Sequence, residues 1–344
     1  MKFFAHNNCL NDPKEFGSFT VVSRKLNQQF KKMGFLGDPN DQATHVVYPE
    51  VYATEQRWNK HIPYLACEYN LAPQIVINKL KLYNPLVLSI SDFAKNNLIN
   101  SGYTKVETVH LGTDPDLWYQ TNVKKFDTFT YLTVNTSNER SGFEKLIPAF
   151  IEFSNNKDVN LIIKDGNNPN FKGYIKSLDC NKIKYINNML TEDQLRDLYN
   201  KSHLFLYTNN TTSFGMNPLD SVLCGTPCIV TLGSALKEFV PEWTQPIKVK
   251  TQVHQITPRS VLDWQDIGIN CFPPEFLSLF SGPVYGERVI EKDILDALEF
   301  SYNNYQTYLD IVKKHREFIV DNFTWEICAK NLIKKVTEYD QSFS

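Results

Sequence analysis

Nowhere in its 344 residues does the sequence hold a run of about eighteen apolar residues, so no segment is fit to cross a bilayer as a helix. The opening Met1-Lys2-Phe3-Phe4-Ala5-His6 turns polar at once, which argues against a secretory signal. Cysteine is sparse: the seven residues are odd in number, scattered, and free of metal-ligand spacing. Cys224 and Cys228 lie inside an apolar run, and the set reads as reduced thiols of a reducing, cytoplasmic compartment. A net charge of −2 gives no global drive toward nucleic acid or acidic membranes, so such a partner would need a local patch. Arginine is scarce, 7 against 29 lysines, while Asn, Phe and Tyr are plentiful. That is the bias of AT-rich codons, as in a low-GC bacterium or a virus, the latter placing the protein in a host cytoplasm. Long disorder is excluded by a composition of 42% hydrophobic and 22% charged residues, and the length predicts two domains.

Apolar runs of strand length alternate with helical patterns along most of the chain. The first half offers strands at Lys2 to Ala5, Thr44 to Tyr48, Pro63 to Glu68, Leu86 to Ile90 and Thr108 to Leu111. A helix is expected through Phe19, Val22, Leu26, Phe30 and Met33, whose spacing of three and four is helical. A polar, lysine-bearing stretch, Tyr119 to Asp127, precedes a second half of the same rhythm. Its strands are Phe129 to Val134, Asn160 to Lys164, Lys182 to Ile186, His203 to Tyr207 and Pro227 to Thr231. Helices are expected at Phe143 to Phe153, Thr191 to Asn200 and Pro218 to Cys224. Such alternation implies α/β architecture with parallel sheets, and two doubly wound halves would face a central cleft. Glu291 to Val336 reads as consecutive helices, whereas Val249 to Tyr285 shows no clear period.

Chemistry concentrates in Tyr207-Thr208-Asn209-Asn210-Thr211-Thr212-Ser213-Phe214-Gly215-Met216-Asn217-Pro218-Leu219-Asp220. A strand ends in a polar loop, a glycine allows close backbone approach, and a proline sits in the first turn of a helix. Backbone N–H groups around Gly215 to Asn217, with the helix dipole, can receive a diphosphate; a tight connection with no ligand reads equally well from local physics. This segment resembles the retaining GT-B glycosyltransferases, the bacterial mannosyl- and glucosyltransferase and sucrose synthase type. Their signature Glu-x-Phe-Gly-x-x-x-x-Glu, followed by Gly-x-Pro, is met by Thr212 to Gly215, Asp220 and Gly225-Thr226-Pro227. Ser89 to Ala94 with His110 to Asp114, Glu139 to Phe150, and Phe323 to Glu326 fit further family segments in order. The resemblance covers residues 86–344 well and residues 1–85 loosely.

The resemblance implies a GT-B fold of two Rossmann-like domains, 1–122 on the acceptor side and 123–318 for the nucleotide sugar, with helix 319–344 returning to the first. It implies transfer of a sugar from a nucleotide-diphosphate donor, a UDP-sugar, with retention of configuration. Asp220 replaces the carboxylate that binds ribose hydroxyls, and Thr212 replaces the one that touches donor-sugar hydroxyls. The cations that neutralise the diphosphate fall on Asn135 and Ser141, so Arg140 and Lys164 are the expected substitutes. Gly17, Ser18, Ser213, Phe214, Gly215, Met216 and Asn217 complete the donor-binding set, with Glu68 a catalytic candidate and His6 a possible acceptor contact; a structural role suits both as well. Asp114-Pro115-Asp116 is read as a turn, so neither metal nor cofactor is expected. The acceptor is a saccharide or glycolipid of polysaccharide assembly, or a hydroxymethylated DNA base. For DNA, Arg24, Lys25, Lys31 and Lys32 on an acid-free helix would meet phosphates, although a solvated face explains them too. A degenerate sugar-nucleotide-binding protein is a third reading, and no oligomeric state follows from the sequence.

Overall fold

The computed structural model describes residues 1–6, 18–50, 61–166, 168–239, 250–269, 271 and 273–342. The chain forms two compact units, one of residues 1–113, 279–282 and 322–344, the other of residues 114–278 and 283–321.

In unit 1, β1 (Lys2–Ala5), α1 (Ser18–Lys32), β2 (Thr44–Glu50), β3 (His61–Leu65), α2 (Gln74–Tyr83), β4 (Val87–Ser89), α3 (Asp92–Asn100) and β5 (Val106–Thr108) follow in order. The five strands pair in parallel in the order β1-β2-β3-β4-β5. Side chains alternate across a strand, and β3 shows both consequences. Leu65 joins Val76, Ile77 and Leu80 of α2 and Ala94 and Leu98 of α3 in one apolar cluster. Its neighbour Tyr64 donates to the Val109 carbonyl at 2.6 Å and lies 3.7 Å from Cys328 of the C-terminal helix. Both faces of the sheet are therefore covered, as a parallel sheet requires. β5 begins two residues before the strand expected at Thr108: Val109 still donates to Ser89, after which Thr113 turns to pair with Phe323 and Trp325. Ser91 caps α3 by accepting the Ala94 N–H at 3.1 Å.

Unit 2 contains β6 (Phe129–Val134), α4 (Phe143–Ser154), β7 (Val159–Lys164), α5 (Pro169–Ser177), β8 (Ile183–Ile186), α6 (Glu192–Lys201), β9 (Leu204–Tyr207), α7 (Met216–Leu223) and β10 (Cys228–Val230). The short α8 (Leu236–Phe239), then β11 (Thr251–Gln255), α9 (Pro258–Asp266), β12 (Tyr285–Val289), α10 (Glu291–Asn303) and α11 (Tyr305–Asn322) complete it. The C-terminal helix of unit 1, Trp325–Gln341, is α12. All five strands of the main sheet run parallel in the order β10-β9-β6-β7-β8. The direction of winding thus reverses between β6 and β9.

Aromatic side chains fill the layer between β6, α4 and α10. Tyr131 meets Phe150 and Phe153 edge-on, and its hydroxyl donates to the Leu298 carbonyl at 3.0 Å. Burying each such phenylalanine stabilises the unit by about 1.5–3 kcal/mol. The aperiodic stretch seen in the sequence holds the antiparallel pair β11 and β12 with α9 between them. Most of β11 is exposed, so its sequence carries no alternating apolar signal. No helix among the described residues is long and apolar enough to cross a membrane.

Candidate functional site

Ligands of open α/β sheets bind beyond the carboxyl ends of the strands where the winding reverses. In unit 2 that place is occupied by the loop 135–142 after β6 and the loop 208–215 after β9. Asparagines tie the two together. Asn135 Nδ2 donates to Asn209 Oδ1, and Asn217 Nδ2 donates to the Val134 carbonyl at 2.8 Å. Buried Asn210 donates its backbone N–H to Arg140 O and its amide to Glu139 O and Glu144 Oε1, while its oxygen accepts from Val289 N. Gly142, at φ 67°, lies so close to the second loop that a Cβ there would sit 2.0 Å from Thr208 O. Only glycine permits that approach.

A second anchor is Asp165, just past β7 and 1% exposed. Its oxygens accept from Ser137 N and Oγ, both at 2.8 Å, from Gly166 N at 2.7 Å and from the Tyr185 hydroxyl at 2.6 Å. Buried charge is tolerated when it is this fully hydrogen-bonded. Burial pushes the Tyr185 phenol up, and its bond to Asp165 pushes it further. Asn168 adds a bond to Ser137 Oγ at 2.8 Å while capping α5. Asp165, Asn209 and Asn210 were not singled out from the sequence. The available signals were an Asp-Gly pair closing an apolar strand and two adjacent asparagines, each with donors and an acceptor to offer.

Within this frame the residues singled out from sequence take distinct positions. Arg140 is half-buried with Nε 3.8 Å from Glu139 Oε1. Its charge reaches the buried Tyr207 hydroxyl, which also hydrogen-bonds the side chains of Thr212 and Asn209; burial nevertheless raises the phenol overall. Tyr207 therefore ties Thr212 to Asn209 through one hydroxyl that feels the Arg140 charge. Lys164, half-buried at the end of β7, donates to the Asp165 backbone carbonyl, and its ammonium is pushed down by burial against the pull of the Asp165 charge. Ser141 faces inward, donating to Asn138 O at 2.7 Å. Thr212, 6% exposed, donates its N–H to Ser234 Oγ at 3.0 Å.

The start of α7 is open. Gly215, at φ 96°, offers no side-chain cap, and no acid occupies the first turn that Met216 and Asn217 begin. Phe214 is buried beside it, and buried Ser213 Oγ has no hydrogen-bond partner among the described residues. Asp220 lies one turn in, 8% exposed, where its charge raises the Tyr199 phenol and the Cys224 thiol beyond what burial does. Unit 1 holds Glu68, half-buried three residues past β3, Ser18 at the start of α1, and His6, whose ring lies 5.1 Å from that of Tyr48. Gly17 lies outside the described residues. Asp114 accepts the Asp116 N–H at 3.1 Å on its side chain and the Trp118 N–H at 2.9 Å on its carbonyl, the bonds of a turn.

Residues 117–255 match the family described as Glycosyl transferases group 1. The match lies within unit 2. No curated protein matches the sequence. Among solved structures, sucrose-phosphate synthase from Thermosynechococcus elongatus is similar at a TM-score of 0.67 and 13% identity, covering 100% of this chain and 99% of that one. Anabaena HepE in complex with UDP-glucose matches at 0.58 and 13%, covering 86% and 72%. A glycosyltransferase from Rickettsia africae matches at 0.60 and 13%, covering 95% and 83%. At such identity the likeness establishes the fold, two Rossmann-like halves with C-terminal helices, which is the GT-B class.

Proposed function

We propose that the group 1 region serves a glycosyltransferase that moves a sugar from a UDP-sugar to an acceptor hydroxyl with retention of configuration. The observation that carries this reading is the junction of the β6 and β9 loops. It sets the uncapped start of α7 and the half-buried Arg140 at the sheet reversal, with Lys164 ending the adjoining β7. A diphosphate leaving group gathers negative charge as the glycosidic bond breaks. Fixed N–H dipoles and two cations held out of bulk water stabilise that charge without reorganising. Asp220 is assigned to the ribose hydroxyls. A phosphate oxygen takes the acceptor proton, so no enzyme nucleophile is required.

Thr212 offers a hydroxyl already engaged by Tyr207, and no carboxylate. Donor-sugar hydroxyls are then held by backbone groups, which favours a donor with fewer hydroxyl contacts, such as a pentose. Asp114 and Asp116 close a turn, which supports transfer without a metal. The acceptor is assigned to a saccharide or glycolipid, as suits the company of sucrose-phosphate synthase. A DNA acceptor is less well supported by α1, whose Lys32 lies 3.6 Å from the Glu326 carboxylate. A thermal-shift panel of nucleotide sugars tests the reading, because a donor at a hundred times its Kd stabilises by about 2.7 kcal/mol. No stabilisation by any UDP-sugar, with or without EDTA, would overturn it.

A further inference from the structure

A cavity of about 560 Å³ opens in unit 2 at a different place from the β6 and β9 loops. One wall is a face of α11, where Val312, Arg316 and Val320 form one row and Lys313, Glu317 and Asp321 the next. Each row steps by four residues, the spacing that aligns side chains along a helix. The facing wall is Gln120, Val222 and Gly225, the last of these in the turn that leads into Cys228, the first residue of β10. β10 and β9 are parallel, so this is the amino end of the sheet, opposite to the end where the donor loops emerge.

Two cations and two carboxylates line the cavity, and none of the four side chains makes an ion pair or hydrogen bond with a described residue. Lys313 precedes Glu317 by four positions, the less favourable order for a helical ion pair. The charges sum to zero. A phosphate or nucleotide would meet Glu317 and Asp321 as well as the cations, and a metal ion would meet Lys313 and Arg316. A neutral ligand carrying many hydroxyls suits all of them, since each hydroxyl donates to a carboxylate and accepts from an ammonium, guanidinium or amide. The valines give the C–H faces of such a ligand an apolar floor. The volume lies within the roughly 300–1,000 Å³ of small-molecule sites.

The geometry points to a second carbohydrate site here, one that takes a neutral oligosaccharide. It stands independently of the transfer reaction proposed for the other end of the sheet. Titration calorimetry of the full chain with maltotriose, cellotriose, mannotriose and chitotriose tests it, with inorganic phosphate and UDP as comparators. At least one trisaccharide should bind. Arg316→Gln should weaken that binding roughly tenfold or more, the loss expected for a charged hydrogen bond. Val320→Trp, at an exposed helical position, should block it, and neither variant should change Tm or UDP affinity. Absence of binding by all four trisaccharides, or binding indifferent to both substitutions, would overturn the site. Phosphate binding that Arg316→Gln removes, with no trisaccharide bound, would replace it by an anion site. Failure of the wild type to bind UDP would count against the transfer reaction and leave this inference standing.

Discussion

Among the described residues both units hold a sheet of five parallel strands, and the strand order of unit 2 turns back on itself. Unit 1 runs β1-β2-β3-β4-β5 among its described strands, while unit 2 runs β10-β9-β6-β7-β8. The described strands of unit 1 pair in chain order, with no reversal among them. Reversal at β6 and β9 sends neighbouring loops apart and opens a crevice. The differences in polar chemistry follow the topology. In unit 2 the buried Asp165 and Asn168 follow β7, and the buried Thr208, Asn209, Asn210 and Ser213 follow β9. Where the strand order reverses, the loops leave room for a crevice, and these polar residues brace its rim.

Breaking the brace should produce the largest effect. Gly142→Ala places a Cβ 2.0 Å from Thr208 O at φ 67°, and should destabilise the protein by about 3–5 kcal/mol while removing UDP binding. Gly112→Ala offers the matching insult in unit 1, where a Cβ would lie 2.4 Å from Thr324 C. It should lower Tm as well, yet UDP affinity measured well below its Tm should stay near wild type. Equal loss of UDP binding in both variants would show that the site is not confined to unit 2. Asp165→Asn comes next. It keeps the shape but presents an amide to donors that need an acceptor, with an expected cost of about 2–3 kcal/mol in chemical denaturation.

Much of this frame was legible in the sequence. β6 is read residue for residue from Phe129 to Val134, since an apolar run there ends sharply at polar residues on both sides. The expected β7 and β9 strands agree to within one residue at their starts, and α7 begins two residues before Pro218. The stretch from Thr212 to Asn217 is contiguous in the chain, so its clustering needs no fold to be seen. Asp165 bonds a residue 28 positions away and Asn210 one 66 positions away, and neither pairing leaves a local period. Ser141 and Asn217 show the same limit. Their place beside the loops was visible, while their bonds to Asn138 O and Val134 O depend on how the loops close.

Two substitutions probe the site itself with smaller effects. Asp220→Ala should weaken UDP binding by about 1.5–3 kcal/mol through loss of a charged acceptor, at little cost to Tm. Unchanged affinity in calorimetry would remove Asp220 from the donor site. Thr212→Glu should shift the ratio of transfer from UDP-glucose over UDP-xylose by roughly tenfold toward the hexose, because a carboxylate can accept from the one hydroxyl, on C6, that xylose lacks. A ratio unmoved by the change would mean that residue 212 does not read the sugar.

The smallest effect concerns the other end of the same sheet, where His203 precedes β9. Its Nδ1 accepts the Thr130 N–H at 3.1 Å, and its ring stacks on Phe129 at 4.7 Å between centroids. Burial first, and then the nearby charge of Lys125, push its pKa down to about 4. An unfolded histidine titrates near 6.5. Between these values the unfolded chain holds a proton that the folded chain refuses, so stability rises with pH through this window and falls as acid is added. Above about pH 6.5 the group contributes no slope. Lys125 obeys the same sign higher up, since burial pushes its pKa down to about 8 and stability should rise again as pH climbs from there toward the ordinary lysine value. The His203 ring is partly exposed, so the effect on Tm should be modest. His203→Gln keeps an acceptor for Thr130 and removes the titration. Melting curves at pH 7 and pH 5 should therefore show a smaller acid-induced drop in the variant than in the wild type. An equal drop in the two proteins would show that His203 carries none of the acid sensitivity.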